Sequence, residues 1–253
     1  MDWAEVTLFF FIIARMSGFI LFNPLFGRST IPGVVKGGVI LLLGITAFSM
    51  TAYRPALPNH ILELGVRTAL EFFMGYLVGI VVNFFFLIPI LGGETIDIQM
   101  GMSMGKTYDP GSQASTTVTA SMLNLLMLML FFAANGHHTL LRIFLVSGEV
   151  VSYGAASFGQ DTYRALIELF LACTLMGIKL CLPVLAAELL GQVGMGILMK
   201  VIPQINVFAI NIELKVIIGL SLILLLMTPI SEYLLQAENE MLKQIQYLLV
   251  GMG

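Results

Sequence analysis

Residues 72–93 read FFMGYLVGIVVNFFFLIPILGG, a run that contains no charged side chain. A helix that crosses a bilayer needs about 20 mostly apolar residues, so this run is long enough to span a membrane. Ile88-Pro89 and the pair Gly92-Gly93 weaken helical structure and predict that the helix ends there. The run therefore predicts one membrane-spanning helix.

Other apolar stretches precede and follow this run, and one of them, residues 62–91, overlaps it. They cover about residues 6–26, 37–53, 62–91, 118–134, 165–190 and 207–235, with a weaker stretch at 139–158. Of the 253 residues, 58% are hydrophobic and only 11% are charged, whereas soluble domains carry roughly 25% charged residues. We therefore predict one all-α domain of the integral membrane type over residues 1–253, with six or seven helices.

Charge, cysteine content and missing motifs exclude several functional classes. The net charge is -3 and no basic stripe is present, which argues against a nucleic-acid partner. Cys173 and Cys181 would lie about 12 Å apart along a helix, too far for a disulfide, so we predict structural thiols. The chain has no His-Glu-x-x-His zinc motif, nucleophile elbow or phosphate-binding loop. It is therefore predicted to be no enzyme and to hold no cofactor or metal.

Ionisable residues interrupt the apolar stretches. Those in the first and fifth stretches are Arg15, Glu168, Lys179 and Glu188. A charge at the bilayer centre is costly, so these side chains either reach the membrane surface or are buried against partner subunits or a water-filled lumen. Glu63, Arg67 and Glu71 follow at i, i+4 and i+8, which predicts paired charges along one helix face.

The most informative polar segment lies between two long apolar stretches, at residues 92–121. Its unusual residues are Met100, Met102 and Met104 at every second position, Gly101 and Gly105, and the triplet Asp109-Pro110-Gly111. Methionine suits surfaces that close and reform, the glycines allow backbone conformations closed to other residues, and the triplet predicts a turn. Such a loop fits the plug or gate of a conduit, and on the residues alone it also fits an ordinary solvated loop.

A second irregular segment covers residues 191–208. Its three glycines weaken a helix, and Pro203 is expected to break or kink it. The side-chain amides of Gln204 and Asn206 beside the break can bond the freed backbone groups. This pattern predicts a packing corner between helices, with a solute-binding site as the alternative.

Two further patterns lie at helix ends. Asn135-Gly136-His137-His138 predicts a turn with a polar cap at a helix boundary, with a proton relay as the alternative. Residues 236–250 place apolar side chains on one helical stripe, which consists of Met241, Leu242, Ile245, Leu248 and Leu249. Because Glu238, Glu240 and Lys243 are expected elsewhere on the helix, we predict an amphipathic helix on the membrane surface or against a partner.

Several segments stand in a characteristic order and spacing over nearly the whole chain. They are Arg15 with Gly18, Pro24-Leu25-Phe26-Gly27 with Ile31-Pro32, Gly93-Glu94 before Gln99-Met100-Gly101, Asp109-Pro110, Asn135-Gly136-His137-His138, and Pro203-Gln204-Ile205-Asn206-Val207-Phe208. Together they resemble the FliR/SctT family, the export-gate proteins of bacterial flagella and type III secretion systems. Some members of that family have Arg where this chain has Lys200, a departure that keeps the charge. The length and the compact C-terminus look more like the flagellar branch.

This resemblance implies a subunit of the flagellar type III protein export gate, which forms part of the pore for unfolded flagellar proteins and does no chemistry itself. The implied partners are FliP-like and FliQ-like subunits in a hetero-oligomer, FlhB-like and FlhA-like proteins, the exported substrates and membrane lipid. The implied fold consists of broken helices and hairpins built into a helical ring. The implied location is the bacterial inner membrane at the flagellar basal body.

The resemblance also assigns roles to residues. A loop of the family acts as a plug, which carries over to about Lys106–Thr117 with the three methionines at its approach. The predicted plug residues are Met100, Met102, Met104, Lys106, Tyr108, Asp109, Pro110, Gly111, Ser112 and Gln113. The predicted structural or assembly residues are Arg15, Glu71, Glu94, Lys179, Pro203, Gln204, Asn206 and Phe208. The alternative function is a secondary transporter of small solutes, which glycine- and proline-broken helices and intramembrane charges also fit.

Overall fold

The structure, a computed structural model, describes residues 3–51, 58, 60–103, 106–109, 114–201 and 207–252. Within these ranges the chain forms eight helices and one two-stranded hairpin. The helices are α1 (Trp3–Phe22), α2 (Gly33–Met50), α3 (Ile61–Met100), α4 (Val118–Ala133), α5 (Gly136–Val150), α6 (Gln160–Val201), α7 (Val207–Leu225) and α8 (Met227–Val250), and the strands are β1 (Thr107–Asp109) and β2 (Ala114–Thr116). The all-α class is confirmed, and the hairpin is a small addition that was not predicted.

Within the described residues, four helices are long and apolar enough to cross a membrane, namely α1, α2, α3 and α6. Two further candidate spans each consist of two helices that are long and apolar enough only when taken together. These are α4 with α5, which bend by 68° at their junction, and Glu213–Leu225 of α7 with α8, which bend by 63°. Asn135 takes a left-handed conformation with φ 58° at the first junction, so the turn predicted there is confirmed. The chain thus combines long apolar helices with sharply broken ones.

Helix α3 does not end at Pro89 or at Gly92-Gly93, and that prediction is wrong. The helix continues to Met100. Pro89 removes one helical hydrogen bond, but α1, α4 and α6 pack against α3. The glycines serve close packing instead, since a Cβ on Gly93 would lie 2.4 Å from the Ala120 Cα. Tertiary packing overrides the local helix-breaking signal.

Helices α1 and α3 cross with their backbones almost in contact. A Cβ on Gly75 would lie 2.1 Å from the Arg15 carbonyl oxygen, and a Cβ on Gly18 would lie 2.1 Å from the Phe72 carbonyl oxygen. Only glycine fits at such contacts, and small residues bring membrane helices together in this way. Farther along both helices, Gly79 faces Phe22. Because residue numbers rise together along the contact, α1 and α3 run in the same direction, and α2, which lies between them in the sequence, runs back.

The apolar side chains form two clusters. The main core is built around α1 and α3 and receives side chains from α4, α5 and α8. The smaller cluster joins the end of α3 to α6 and α7 through Ile96, Met100, Cys181, Val184 and Ile223. Cys173 and Cys181 are both free and buried, and α6 ends at Val201, before the predicted break at Pro203.

The apolar stripe of residues 236–250 is buried inside the chain. Helix α8 begins earlier, at Met227, and packs against α3, α4 and α5. Met241 and Ile245 are fully buried on this face, and Glu238 lies with them at 3% exposure. The expectation that Glu238 lies elsewhere on the helix is wrong, because it precedes Met241 by three positions and Ile245 by seven, the spacing of a single helix face.

Candidate functional site

The plug predicted at about Lys106–Thr117 falls within the connection from α3 to α4, residues 101–117, which we term the gate loop. Gly101 ends α3 in a left-handed conformation with φ 80°, and the Met102 amide donates to the Asp97 carbonyl oxygen at 2.8 Å. Because side chains disfavour this conformation, Gly101 sets the direction in which the chain leaves the helix. The prediction that Gly101 supplies a special backbone conformation is confirmed.

Inside the gate loop, β1 and β2 pair in antiparallel fashion, with Tyr108 opposite Ser115. The hydroxyl oxygens of Thr116 and Ser121 lie 2.7 Å apart, which bonds the end of the hairpin to α4. Lys106, just before the hairpin, is exposed. Five predicted plug residues lie outside the described residues, namely Met104, Pro110, Gly111, Ser112 and Gln113, as do the side chains of Tyr108 and Asp109.

One buried aspartate holds both ends of the gate loop. The Asp97 carboxylate accepts hydrogen bonds from the Thr119 amide at 2.8 Å and from the Thr119 hydroxyl at 2.5 Å. These bonds place a negative charge at the N-terminus of α4, where free amides and the helix dipole favour it. The Asp97 carbonyl oxygen also accepts a hydrogen bond from the Met102 amide. Asp97 therefore bonds the chain both just after α3 ends and in the first turn of α4.

The methionines at the approach to the loop differ in their surroundings. Met100 is the last residue of α3 and is fully buried in the smaller cluster. Met102 is half-buried and packs against that cluster. The gate loop is therefore attached to α6 and α7 at its first end and to α4 at its second.

The charges in the first and third helices form an internal ion pair. Arg15 Nε donates to Glu71 Oε2 at 2.6 Å, and neither side chain is exposed. The guanidinium also donates to the Ser147 hydroxyl at 3.2 Å and to the Val151 carbonyl oxygen at 3.1 Å, while Glu71 Oε1 accepts from the Gly154 amide at 2.7 Å. The site thus joins α1, α3 and α5 to the segment that follows α5.

This geometry corrects two predictions. Arg15 does not reach the membrane surface, and it is not buried against a partner subunit or a water-filled lumen. Its charge is compensated inside the chain by Glu71. The predicted pairing of Glu63, Arg67 and Glu71 along one helix face is wrong for Glu71. Arg67 pairs with Glu63 at 2.5 Å, whereas Glu71 pairs with Arg15 on α1. Packing of α1 on α3 brings Arg15 and Glu71 together, and no pattern within either helix indicates it.

Tyr153 completes the shell of the ion pair. The Arg15 guanidinium carbon lies 4.3 Å from the centroid of the Tyr153 ring, a cation–π contact that gains strength when water is excluded. Burial raises the pKa of the Tyr153 phenol, and the nearby Arg15 charge opposes that rise. The phenol therefore remains neutral at physiological pH, so Glu71 is the anion that compensates Arg15.

The other predicted assembly residues are scattered. Lys179 is exposed on α6, as is Glu168, whereas Glu94 on α3 is half-buried. Pro203, Gln204 and Asn206 lie outside the described residues, and only the backbone of Phe208 is described, as part of α7. The structure brings Arg15 and Glu71 together and unites no other members of this set among the residues it describes.

Sequence reasoning missed three residues that organise these sites, namely Asp97, Ser147 and Tyr153. Asp97 carried a usable signal, because it is an isolated carboxylate near the end of a long apolar helix and must find a partner when buried. Ser147 and Tyr153 carried none, since both are ordinary residues whose position beside Arg15 depends on the packing of α5.

The fold and these sites define a class, that of helical membrane proteins, and in this chain the buried Arg15 is compensated by Glu71 of the same chain. The family model for bacterial export proteins, family 1, matches residues 6–241, and the chain belongs to this family. The match covers both the Arg15–Glu71 pair and the gate loop.

Relatives of similar length support this membership. The chain is 27% identical over 227 residues to the flagellar biosynthetic protein FliR of Bacillus subtilis (strain 168), which covers 88% of this chain and 86% of the relative. It is 26% identical over 233 residues to the protein of the same name from Escherichia coli (strain K12), with 90% and 87% covered. For the FliR protein of Caulobacter vibrioides the identity is 24% over 221 residues. The resemblance of the sequence to the FliR family is thereby confirmed.

Proposed function

We propose that this chain is a subunit of the flagellar protein export gate and forms part of the pore through which unfolded flagellar proteins leave the cell. The observation that carries the proposal is the family match over residues 6–241, together with relatives named for flagellar biosynthesis. This match favours an export subunit over the alternative of a solute transporter.

The surface of the chain supports assembly with other subunits. Only 17% of the most apolar window of α2 and 33% of that of α6 is buried inside the chain. These faces need an apolar environment, which lipid or neighbouring helices supply. We propose FliP-like and FliQ-like subunits as direct neighbours and FlhB-like and FlhA-like proteins nearby, in the inner membrane at the flagellar basal body.

The gate loop, in this proposal, plugs the pore. Both of its ends are bonded to one residue, Asp97, which fixes the points where the loop leaves α3 and enters α4. The chain acts as a conduit and a gate without catalysis, and the free energy for export comes from other components.

Deletion of Lys106–Thr117 tests the plug. We expect the complex to assemble with its partners but to conduct ions when it is reconstituted in vesicles, because the pore is no longer filled. The matched control replaces the same residues by a Gly/Ser linker of equal length, which keeps the connection between α3 and α4 and removes the side chains. A deletion complex that assembles and stays closed rules out the plug.

A further inference from the structure

A cavity of about 530 Å³ lies where the chain leaves α1. It is bordered by the segment that follows α1 and by residues of α3, α4 and α6, and its volume lies within the range of sites that hold small ligands. Most of the described residues that line it are apolar, and the polar ones are Asn23, Arg28, Asn83 and Asn124. The cavity therefore joins a polar wall to an apolar one, which is the pattern of a site for an amphipathic molecule.

Asn23 supplies an unused hydrogen-bond donor to this cavity. Its side chain is 1% exposed, and its Oδ1 accepts from the Leu25 amide at 2.8 Å, so the other end of the amide group is the nitrogen. Among the described residues, Nδ2 has no hydrogen-bond partner. Because a buried donor that is left unsatisfied costs stability, this nitrogen favours a ligand that carries an acceptor.

Asn124 of α4 supplies the opposite group. It lines the same cavity, and its buried Oδ1 has no partner within the part of the chain that the structure describes. An occupant that satisfies both asparagines must therefore carry an acceptor for Asn23 and a donor for Asn124. A side-chain carboxylate of another protein provides only the first of these groups.

The charge at the cavity is positive. Arg28 is the ionisable residue among the described residues that line it, and its Nε donates to the Pro24 carbonyl oxygen at 3.3 Å. Lys36 Nζ donates at 2.8 Å to the carbonyl oxygen of Gly27, another lining residue, which places a second cation at the edge. Neither cation forms a salt bridge with any residue that the structure describes. The cavity thus favours an anion, and phosphate is a preferred partner of arginine.

The apolar wall continues out of the cavity along α6. Phe84 of α3 and Phe170 of α6 pack against each other with their ring centroids 5.2 Å apart, and Phe170 is 42% exposed. About two and three turns farther along α6, Ile178 and Leu182 are exposed as well. This apolar surface accommodates an acyl chain whose polar end is held in the cavity, whereas a free phosphate ion gains nothing from it.

We propose that this cavity binds an anionic glycerophospholipid. Its phosphate accepts from Arg28 and from Asn23 Nδ2, and a hydroxyl of its headgroup donates to Asn124 Oδ1. An acyl chain lies along Phe84 and Phe170. Phosphatidylglycerol carries all of these groups, whereas the trimethylammonium group of phosphatidylcholine carries no donor and offsets the phosphate charge. The site involves neither the gate loop nor any movement of it, so its test is independent of the plug.

Titration with defined lipids tests the site. The full chain, purified in detergent with any subunits that accompany it and stripped of lipid, is titrated with phosphatidylglycerol or phosphatidylcholine in mixed micelles, and native mass spectrometry counts the bound lipid. We expect one saturable phosphatidylglycerol site per copy of the chain, with an affinity about tenfold above that for phosphatidylcholine. Equal affinity for the two lipids overturns the proposal.

Substitution Arg28→Gln removes the cation from the cavity. We expect the affinity for phosphatidylglycerol to fall by about tenfold, because a hydrogen bond to a charged group is lost. Arg142→Gln is the matched control, since it removes an exposed arginine on α5 that does not line the cavity, and it should leave lipid binding unchanged. Equal binding by the two variants contradicts the assignment of the phosphate to Arg28.

Substitution Asn23→Asp removes the donor and keeps the size of the side chain. The carboxylate still accepts from the Leu25 amide, but its second oxygen repels phosphate, so we expect phosphatidylglycerol binding to be lost. Asn124→Leu provides a measurement that a folding defect does not mimic. It removes the acceptor for the headgroup hydroxyl, so the preference for phosphatidylglycerol over phosphatidylcholine should fall by about fivefold. Full binding by Asn23→Asp, or an unchanged preference in Asn124→Leu, overturns the site.

Two further measurements distinguish other occupants. Inorganic phosphate, titrated alone, is expected to bind far more weakly than phosphatidylglycerol because it lacks acyl chains, and equal affinity would show a phosphate site in place of a lipid site. Carbodiimide joins Lys36 to a carboxylate that lies beside it, and Lys36→Gln is the control. We expect no such cross-link to another subunit in membranes, and its appearance would assign the cavity to a protein partner.

Discussion

At the residue scale, the pair of Arg15 and Glu71 is expected to be strongly coupled. Both side chains are fully buried, so Glu71→Gln leaves a cation without its counter-charge and is expected to destabilise the chain by about 3–5 kcal/mol. Replacing the pair by Arg15→Met with Glu71→Leu removes the charge altogether, and we expect it to recover most of that loss. Denaturation in detergent of Arg15→Met, Glu71→Leu and the double variant, analysed as a double-mutant cycle, measures the coupling.

The half-exposed pair of Glu63 and Arg67 is the matched control for that cycle. It lies on the same helix as Glu71, and both of its side chains are 31% exposed. Glu63→Gln is therefore expected to cost under about 1 kcal/mol. A Glu71→Gln chain that is as stable as Glu63→Gln would show that Arg15 is compensated by groups other than Glu71.

Single residues also show where prediction from the sequence ends. The sequence marks Arg15 as unusual because a charge interrupts an apolar run, and the resemblance to a family marks both Arg15 and Glu71. Their pairing spans 56 positions and depends on how α1 crosses α3, which no local pattern contains.

At the scale of elements, the crossing of α1 and α3 depends on Gly75. A methyl group there would lie 2.1 Å from the Arg15 carbonyl oxygen and 2.7 Å from the Phe19 amide, so the two backbones must separate. We expect Gly75→Ala to cost about 1–3 kcal/mol and to weaken the Arg15–Glu71 contact. Thermal unfolding of the purified chain measures the first effect.

Gly65→Ala on the same helix is the control. Nothing lies within 4 Å of a Cβ at that position, and alanine is the better helix former, so a gain of about 0.5–1 kcal/mol is expected. Opposite signs at the two glycines support a packing role for Gly75. Equal effects would mean that the crossing tolerates a wider separation.

The helices themselves were largely predictable, because apolar runs of membrane length have few alternatives to a helix. Their ends were less so. The sequence predicted a helix end at Pro89 and Gly92-Gly93, but these residues lie inside α3. Packing of the neighbouring helices stabilises α3 where its local sequence is a poor helix former. The hairpin of β1 and β2 went unpredicted because each strand has only three residues, too few for alternation to show.

At the scale of the whole molecule, three buried charges of the described residues have partners inside the chain, whereas two of its long apolar helices remain mostly uncovered. The buried charges of Arg15 and Glu71 are satisfied within the chain, as is Asp97 at the N-terminus of α4. The outer faces of α2 and α6 remain mostly uncovered. Folding of the single chain and its assembly with partners are therefore expected to be separable steps, and the second step should add stability by mass action.

Co-expression with the proposed FliP-like and FliQ-like subunits tests this separation. Binding at about 1,000 times the dissociation constant stabilises a protein by about 4 kcal/mol, and for a chain of this size each kcal/mol raises the Tm by about 2–4 °C. We expect the assembled chain to unfold about 10 °C above the isolated chain in the same detergent, and the isolated chain to be polydisperse. An unrelated helical membrane protein, co-expressed at the same level, should leave the Tm unchanged. An isolated chain that is monodisperse and equally stable would mean that lipid alone covers α2 and α6, and that partner subunits are not needed to shelter them.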